Sequence, residues 1–376
     1  MAIQLFVPTF DVDACLAEIR ECLEKGWPGM GFKTITFEEE WKKYTGHKYA
    51  YYLNSATAGL NLAFDIFKEN LHWKDGDEVI TTPLTFISTN HAIALAGLKP
   101  VFADIDEYLC LDPESVKKAI TPKTRAIIFV GLGGNTGRYE EIKKICKENG
   151  LILVLDAAHM SGTRLNGEFP GLSADVAVYS FQAVKNLPTA DSGMICFADE
   201  KYDKEARIKA WLGINKDTYA RTSAGGNYKW RYDVEYVGNK YHGNSIMASI
   251  GLVQLRHLDD DNAYRRKIAD MYRKGFAGCK KIKTVPIPDG CLNSQHLFQI
   301  IVEDRDGLMA YLNQNEIFPG VHYIDNTQYR MYNYAAGTCP KAAYISDHVL
   351  SLPLHMRLTE QDVAFVIEKI LEYVGK

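Results

Sequence analysis

The chain has 376 residues, of which 43 are lysine or arginine and 47 are aspartate or glutamate, and its net charge is −4. At roughly 150 residues per domain, this length predicts two or three domains, or one large domain with a smaller one. Hydrophobic residues make up 47% and charged residues 24%, proportions typical of a protein with a large core, which excludes wholesale disorder. Because the charge balance is slightly acidic, we expect no broad basic surface for nucleic acid or anionic lipid.

The eight cysteines indicate neither disulfides nor a metal site. None of them forms a Cys-x-x-Cys pair or a Cys/His spacing typical of zinc, so we expect reduced thiols in a cytoplasmic protein without bound metal. No uncharged apolar stretch approaches the ~18 residues of a membrane span, and the N-terminus lacks the pattern of a signal peptide. We therefore expect no association with a membrane.

Residues 78–200 alternate short apolar runs, rich in β-branched residues, with amphipathic segments. The predicted strands cover 78–82, 100–103, 125–130, 151–155, 174–180 and 193–197. The predicted helices between them cover 89–96, 112–119 and 139–148. Strands that alternate with helices indicate an α/β fold, in which a mostly parallel sheet is covered by helices on both faces.

The pattern changes after about residue 200. One long helix, or two, is predicted over 246–272, and a second alternation follows, with a strand over 297–302 and helices over 305–314 and 359–374. Residues 215–239 are polar and weakly periodic, which predicts a mobile functional segment. We therefore predict a large α/β domain over residues 1–255 and a smaller C-terminal α+β domain over residues 256–376.

Chemically active residues follow two neighbouring predicted strands. Asp156 ends one strand, and Lys185 lies shortly after the next. Ligands of open α/β sheets bind beyond the carboxyl ends of the strands, where a buried carboxylate or amine is costly unless it is paired or bonded. Two interpretations fit this pattern. One is a plain salt bridge, and the other is a pyridoxal phosphate site with Lys185 as the Schiff-base amine and Asp156 on the pyridine nitrogen.

A run of small and hydroxyl-bearing residues, 54–59, precedes an apolar helical stretch. Free N–H groups and short side chains at a helix N-terminus can hold a phosphate, although the same pattern also suits an ordinary Ser/Thr helix cap. Phe86 precedes another predicted helix. Its ring could stack on a flat ligand, or it could belong to the core.

In this order, these segments resemble the DegT/StrS family of sugar aminotransferases, which are pyridoxal-phosphate enzymes of the aspartate-aminotransferase fold (fold type I). The resemblance covers nearly the whole chain. The segments that carry it are Gly26-Trp27-Pro28, Thr57-Ala58-Gly59-Leu60, Thr82-Pro83-Leu84-Thr85-Phe86, Pro100 to Asp106, Asp156-Ala157-Ala158-His159, Ser180 to Leu187, Gly251-Leu252, Gly320-Val321-His322-Tyr323 and Leu352-Pro353-Leu354-His355.

The resemblance implies a role for each matching residue. Lys185 is expected to bind the cofactor covalently and to move the substrate proton, and Asp156 to pair with the pyridine nitrogen. Phe86 matches the stacking aromatic residue, and His159 matches a polar residue that touches the ring substituents. The residues that match the phosphate binders are Thr57, Ala58 and Ser180.

In the family, the phosphate is also reached from the neighbouring subunit by an Asn or Lys before an aromatic residue. Lys240, which precedes Tyr241, fits that pattern, so the resemblance implies a homodimer with shared active sites. The alternative is a solvated surface lysine. His322 lies in a block near the substrate and is a candidate substrate-binding residue.

Two segments depart from the family pattern. Residues 131–135 read Gly-Leu-Gly-Gly-Asn where His-Leu-Tyr-Gly is frequent, and residues 191–193 read Asp-Ser-Gly in place of an acidic residue and two glycines. Both departures bear on the amino acceptor. The leading hypothesis is transfer of an amino group from an amino acid, with L-glutamate as the expected donor, to a keto group of a nucleotide-linked sugar for cell-surface polysaccharide biosynthesis.

Three other hypotheses stay open at this point. The acceptor could be a small phosphorylated ketone or a cyclitol ketone. The chain could belong to the dehydratase branch of the family, which the presence of Lys185 disfavours because histidine replaces this lysine there. It could also be a regulatory relative without catalysis.

Overall fold

The computed structural model describes residues 2–215 and 232–375. The strands are β1 (Ile3–Gln4), β2 (Tyr51–Leu53), β3 (Glu78–Thr81), β4 (Lys99–Phe102), β5 (Thr124–Val130), β6 (Ile152–Asp156), β7 (Arg164–Leu165), β8 (Val176–Ser180), β9 (Gly193–Phe197), β10 (Lys283–Thr284), β11 (Cys291–Leu292), β12 (Phe298–Ile301), β13 (Ile317–Phe318) and β14 (Val349–Leu352). The α-helices are α1 (Val12–Glu24), α2 (Phe32–Thr45), α3 (Ala56–Asn70), α4 (Ile87–Leu95), α5 (Pro113–Ala119), α6 (Tyr139–Asn149), α7 (Glu200–Lys209), α8 (Ser245–Phe276), α9 (Arg305–Gln314), α10 (Pro340–His348) and α11 (Glu360–Gly375).

A seven-stranded sheet forms the centre of the molecule, in the order β2-β9-β8-β6-β5-β3-β4. Five neighbouring strands run parallel to one another: β8, β6, β5, β3 and β4. At the other edge, β9 is antiparallel to β8, and β2 is antiparallel to β9. Each strand predicted between residues 78 and 197 lies in this sheet, which confirms the mostly parallel α/β prediction. β2 was not predicted from the sequence, because a strand of three residues is too short to show a periodic pattern.

The sheet is covered on both faces, as predicted. Along β5, Ile127 and Phe129 pack into one hydrophobic cluster with Trp41 of α2, while Ile128 packs into another cluster with Phe64 of α3. Successive residues of a strand point to opposite faces, so this alternation buries both sides of the strand.

The C-terminal part has its own core and a small antiparallel sheet in the order β10-β12-β14. β1, at the start of the chain, pairs with β13, and Ile3 packs into this C-terminal core. The predicted helix over 246–272 is confirmed as the single long helix α8. The predicted boundary after residue 255 falls inside that helix, and the division into two domains stays a prediction.

Residues 216–231, which form most of the predicted segment 215–239, lie outside the described residues. The mobility predicted for this segment therefore stays a prediction. Within residues 2–215 and 232–375, every helix is too short or too polar to cross a membrane.

Helix α3 packs against the sheet through Gly59. A Cβ at this position would lie 2.8 Å from Val178 Cγ1 and 3.2 Å from Leu53 Cδ1. Overpacking a core costs about 1–3 kcal/mol, which exceeds the ~1 kcal/mol that Ala gains over Gly in a helix. With the gain in helix propensity subtracted, we expect Gly59→Ala to lower the free energy of unfolding by up to roughly 2 kcal/mol, measured by denaturant titration.

Gly375→Ala is the matched control, because a Cβ at the end of α11 would have nothing within 4 Å. It should leave the free energy of unfolding unchanged or slightly raised. Equal stability of the two variants would contradict the close packing of α3 on the sheet.

Candidate active site

The carboxyl ends of β6 and β8 open into a cavity of about 470 Å³. Asp156 ends β6 and Ser180 ends β8, and the two strands are paired neighbours in the sheet. The structure brings seven of the predicted site residues to the cavity wall, namely Thr57, Phe86, Asp156, His159, Ser180, Lys185 and His322. Ala58 and Lys240, the other two, do not line the cavity of their own chain.

Asp156 is 5% exposed, and within the described residues its two oxygens accept only from neutral donors. Thr89 Oγ1 donates to Oδ2 at 2.8 Å, and the backbone N–H of Ala158 donates to Oδ1 at 3.1 Å. Removal from water raises the pKa of this carboxyl above its ordinary value, and the two hydrogen bonds and the charge of Lys185 oppose the shift only in part. An ionised Asp156 therefore requires a cationic partner within the cavity.

Lys185 follows β8 and lines the same cavity. Burial lowers the pKa of its amine to about 8, against the opposing attraction of Asp156. No ion pair joins Lys185 to Asp156 or to another carboxylate of the described residues. The salt-bridge interpretation is thus not what the structure contains. A lysine with this pKa is unprotonated in roughly a tenth of molecules at pH 7, which makes it a nucleophile and a base.

His159 is held by contacts that the sequence did not reveal. Its Nδ1 accepts a hydrogen bond from the backbone N–H of Gly133 at 3.1 Å, and its Nε2 lies 3.2 Å from the hydroxyl of Tyr323. Burial lowers the pKa of His159 well below its ordinary value, so the ring is neutral. Gly133 has a φ of 65°, and it belongs to the departing segment 131–135. That segment therefore positions a residue of the site.

Phe86 is the N-cap residue of α4 and is 58% exposed. Its ring centroid lies 6.0 Å from that of Tyr323, at the wall of the cavity. The core interpretation of Phe86 is therefore wrong, and its ring is free to cover a flat ligand.

The N-terminus of α3 points toward the same cavity. Ser55 caps the helix by accepting from the backbone N–H of Ala58 at 3.1 Å, so the helix-cap interpretation is confirmed for this N–H group. Thr57 lines the cavity beside it. A Cβ on Gly193 would lie 2.6 Å from the nitrogen of Ala56, so only glycine at the start of β9 lets the helix end approach the sheet. A helix N-terminus favours an anion.

Lys240 is exposed, and its Nζ lies 5.4 Å from the centroid of the Trp211 ring. Its backbone oxygen accepts from Asn54 Nδ2 at 3.1 Å, next to the start of α3. His322 lines the cavity, and its Nδ1 lies 3.0 Å from Ser351 Oγ. Burial, together with the charge of Lys185, lowers the pKa of His322 to about 4.

Three contributors were missed by the sequence analysis: Thr89, Tyr323 and His296. In the sequence, Tyr323 stands out only as part of the block that holds His322, and Thr89 only as the start of a predicted helix. His296 lines the cavity 4.3 Å from the His159 ring, centroid to centroid. The only signal for it was its place directly before the predicted strand over 297–302.

The chain matches the model of the DegT/DnrJ/EryC1/StrS aminotransferase family over residues 11–371. It is 34% identical over 371 residues to the spore coat polysaccharide biosynthesis protein SpsC of Bacillus subtilis, covering 96% of this chain and 94% of that protein. The aminotransferase TlmJ of Streptoalloteichus hindustanus superposes with a TM-score of 0.92, at 30% identity, over 100% of this chain and 99% of TlmJ.

Spr1654 of Streptococcus pneumoniae, described as a sugar aminotransferase, has been solved in a PLP form and a PMP form. Its PMP form superposes with a TM-score of 0.89, at 30% identity, over 97% of each chain. The cavity here has the buried acid, the low-pKa lysine and the helix N-terminus that such a cofactor requires. The chain belongs to the DegT/DnrJ/EryC1/StrS aminotransferase family, and it is a pyridoxal-phosphate-dependent aminotransferase of fold type I.

Proposed function

We propose that the enzyme transfers an amino group from L-glutamate to a keto group of a nucleotide-linked sugar, for the biosynthesis of a cell-surface polysaccharide. The observation that carries the reaction type is the low-pKa amine of Lys185 in one cavity with the buried carboxyl of Asp156. The polysaccharide role of SpsC and the description of Spr1654 support a sugar as the acceptor. A cytoplasmic location is proposed from the cysteine content alone.

The described residues fit pyridoxal phosphate. When bound, it supplies an electron sink for the carbon that loses or gains a proton. The Asp156 carboxylate would pair with the protonated pyridine nitrogen. This cation would compensate the buried negative charge, which the neutral donors of Thr89 and Ala158 cannot do. Thr57 and Ser180 would donate to the phosphate beside the N-terminus of α3, and the face of Phe86 would lie on the ring.

Lys185 would have two roles in the reaction. Its Nζ would hold the cofactor covalently between turnovers, and the released amine would then carry the substrate proton. An amine with a pKa of about 8 is close to the working pH, which is the condition for efficient proton transfer in both directions.

The described wall of the cavity offers partners for the hydroxyl groups of a sugar but not for a further phosphate. Among the described residues that line it, Lys185 is the only lysine or arginine, and Asp156 and Asp191 are acidic. Among these lining residues no further cation is left to meet a phosphate beyond that of the cofactor, so the phosphates of a nucleotide-linked sugar, like that of a phosphorylated ketone, would have to lie outside this part of the wall. Hydroxyl groups, in contrast, find polar partners in Ser88 and Gln182.

A homodimer would complete the phosphate site. The side chain of Lys240 lies over Trp211 and not at its own cavity, so we propose that it serves the neighbouring subunit. The phosphate is close to dianionic, whereas Thr57 and Ser180 offer only neutral donors. An ammonium group would add charge-assisted bonding that hydroxyl groups cannot provide.

The proposed function is tested by following the two half-reactions separately. L-Glutamate alone should abolish the aldehyde-form absorbance band of the holoenzyme and release an equal amount of 2-oxoglutarate. Keto compounds are then compared for restoring the band: nucleotide-linked keto sugars, phosphorylated ketones and cyclitol ketones. We expect the nucleotide-linked sugar to be favoured in kcat/KM by roughly tenfold or more, which is about 1.4 kcal/mol in transition-state binding.

The control is Lys185→Ala, which should show neither half-reaction because it lacks the base. If a phosphorylated ketone or a cyclitol ketone restored the band faster, the proposed acceptor would be wrong.

The shared site is tested by mixing two variants, Lys185→Ala and Lys240→Glu, under conditions that exchange subunits. Each mixed dimer would have one site with both changes and one site with neither. At statistical mixing, half of the dimers are mixed, so roughly a quarter of wild-type activity should return.

Lys118→Glu, at another exposed lysine, is the control, and it should be fully active by itself. If demonstrated exchange restored no activity, Lys240 would not serve the neighbouring subunit.

A further inference from the structure

His296 occupies a defined place in the cavity that the proposed chemistry does not use. It is 2% exposed and lines the cavity wall. Its ring lies 4.3 Å from His159 and 5.4 Å from Phe6, with the Phe6 ring nearly parallel at 7°. Two ring contacts and full burial fix the orientation of the imidazole.

A chain of buried amides fixes the proton of this ring. Asn262 Nδ2 donates to the backbone carbonyl of Ser161 at 2.9 Å, and this carbonyl can only accept. The amide oxygen of Asn262 must therefore face Asn186, whose Nδ2 donates to it at 2.7 Å. Asn186 Nδ2 also donates to the backbone carbonyl of Ser294 at 2.7 Å, so both of its protons are used.

The amide oxygen of Asn186 is thereby turned to His296, 2.9 Å from Nδ1. Because that oxygen accepts, Nδ1 of His296 carries the ring proton and Nε2 is an unprotonated acceptor. No described residue donates to this Nε2. Gly162 makes the amide chain possible, since a Cβ there would lie 2.2 Å from Asn262 Nδ2.

His159 is held in the opposite tautomer. Its Nδ1 accepts from Gly133, so its proton lies on Nε2, facing Tyr323. The two neighbouring imidazoles, tilted by 42°, consequently present different groups: the donor of His159 faces Tyr323, whereas the Nε2 lone pair of His296 has no donor among the described residues, on a side chain that lines the cavity.

We propose that Nε2 of His296 accepts a hydrogen bond from a hydroxyl group of the keto acceptor, and that Asn186 and Asn262 act as positioning residues for this tautomer. The inference rests on the proposed function, because it requires a hydroxylated acceptor. Glutamate has no hydroxyl group, and its carboxylates would be repelled by the lone pair. His296 therefore acts in the second half-reaction and distinguishes the acceptor from the donor.

Two substitutions test the roles of the two ring nitrogens separately. His296→Asn keeps an amide near the position of Nδ1, so it can still donate to Asn186 but offers nothing at Nε2. His296→Gln places an amide oxygen near the position of Nε2 and restores the acceptor. The probes are hydroxyacetone and acetone, ketones that differ by one hydroxyl group, reacted with the glutamate-treated enzyme.

In the wild type, hydroxyacetone should react faster than acetone by about fivefold to tenfold, the effect of one neutral hydrogen bond. His296→Asn should remove this preference, and His296→Gln should recover part of it. His296→Asn should slow the half-reaction with hydroxyacetone more than the half-reaction with glutamate.

A second readout does not depend on activity. Histidine ¹⁵N spectra should show His296 protonated at Nδ1 and His159 protonated at Nε2. A wild type without the hydroxyl preference, a preference that survives in His296→Asn, or a His296 protonated at Nε2 would each overturn the inference. Loss of the glutamate half-reaction in the wild type would instead contradict the donor in the proposed function.

Discussion

The site depends on one constraint, the burial of the Asp156 carboxyl at the end of β6. A carboxylate at this depth is costly unless a positive charge meets it, and Thr89 and Ala158 offer only neutral donors. No ion pair within the described residues compensates it, and Lys185 is itself shifted toward its neutral form. The cavity is therefore arranged for a cation that the ligand brings, and the protonated pyridine ring of the cofactor is such a cation.

Close backbone approach explains how the other groups reach this carboxyl. Gly193 lets the N-terminus of α3 lie against the end of the sheet, and Gly59 lets the body of the helix pack on β8. Gly162 admits the amide of Asn262 from α8 in the same way. The long helix α8 thus joins the C-terminal part of the chain to the site, because its Asn262 connects through Asn186 to His296.

Much of the fold was predictable, because the parallel strands are continuous apolar runs and their order along the chain alternates with helices. Asp156 and Lys185 were predictable from their positions after neighbouring strands, and the family resemblance supplied their roles. Tyr323 and His296 were not, since their function depends on contacts with His159 and Asn186, far away in sequence. The same holds for Gly133, whose importance lies in one backbone N–H directed at an imidazole.

The role of the Asp156 carboxylate is tested most directly by the protonation state of the bound cofactor. With ¹⁵N-labelled pyridoxal phosphate bound, the chemical shift of the pyridine nitrogen reports whether it carries a proton. We expect a protonated nitrogen in the wild type at neutral pH, and a neutral one in Asp156→Asn, which keeps the size of the side chain but not its charge. A neutral pyridine nitrogen in the wild type would contradict the role assigned to the buried carboxylate.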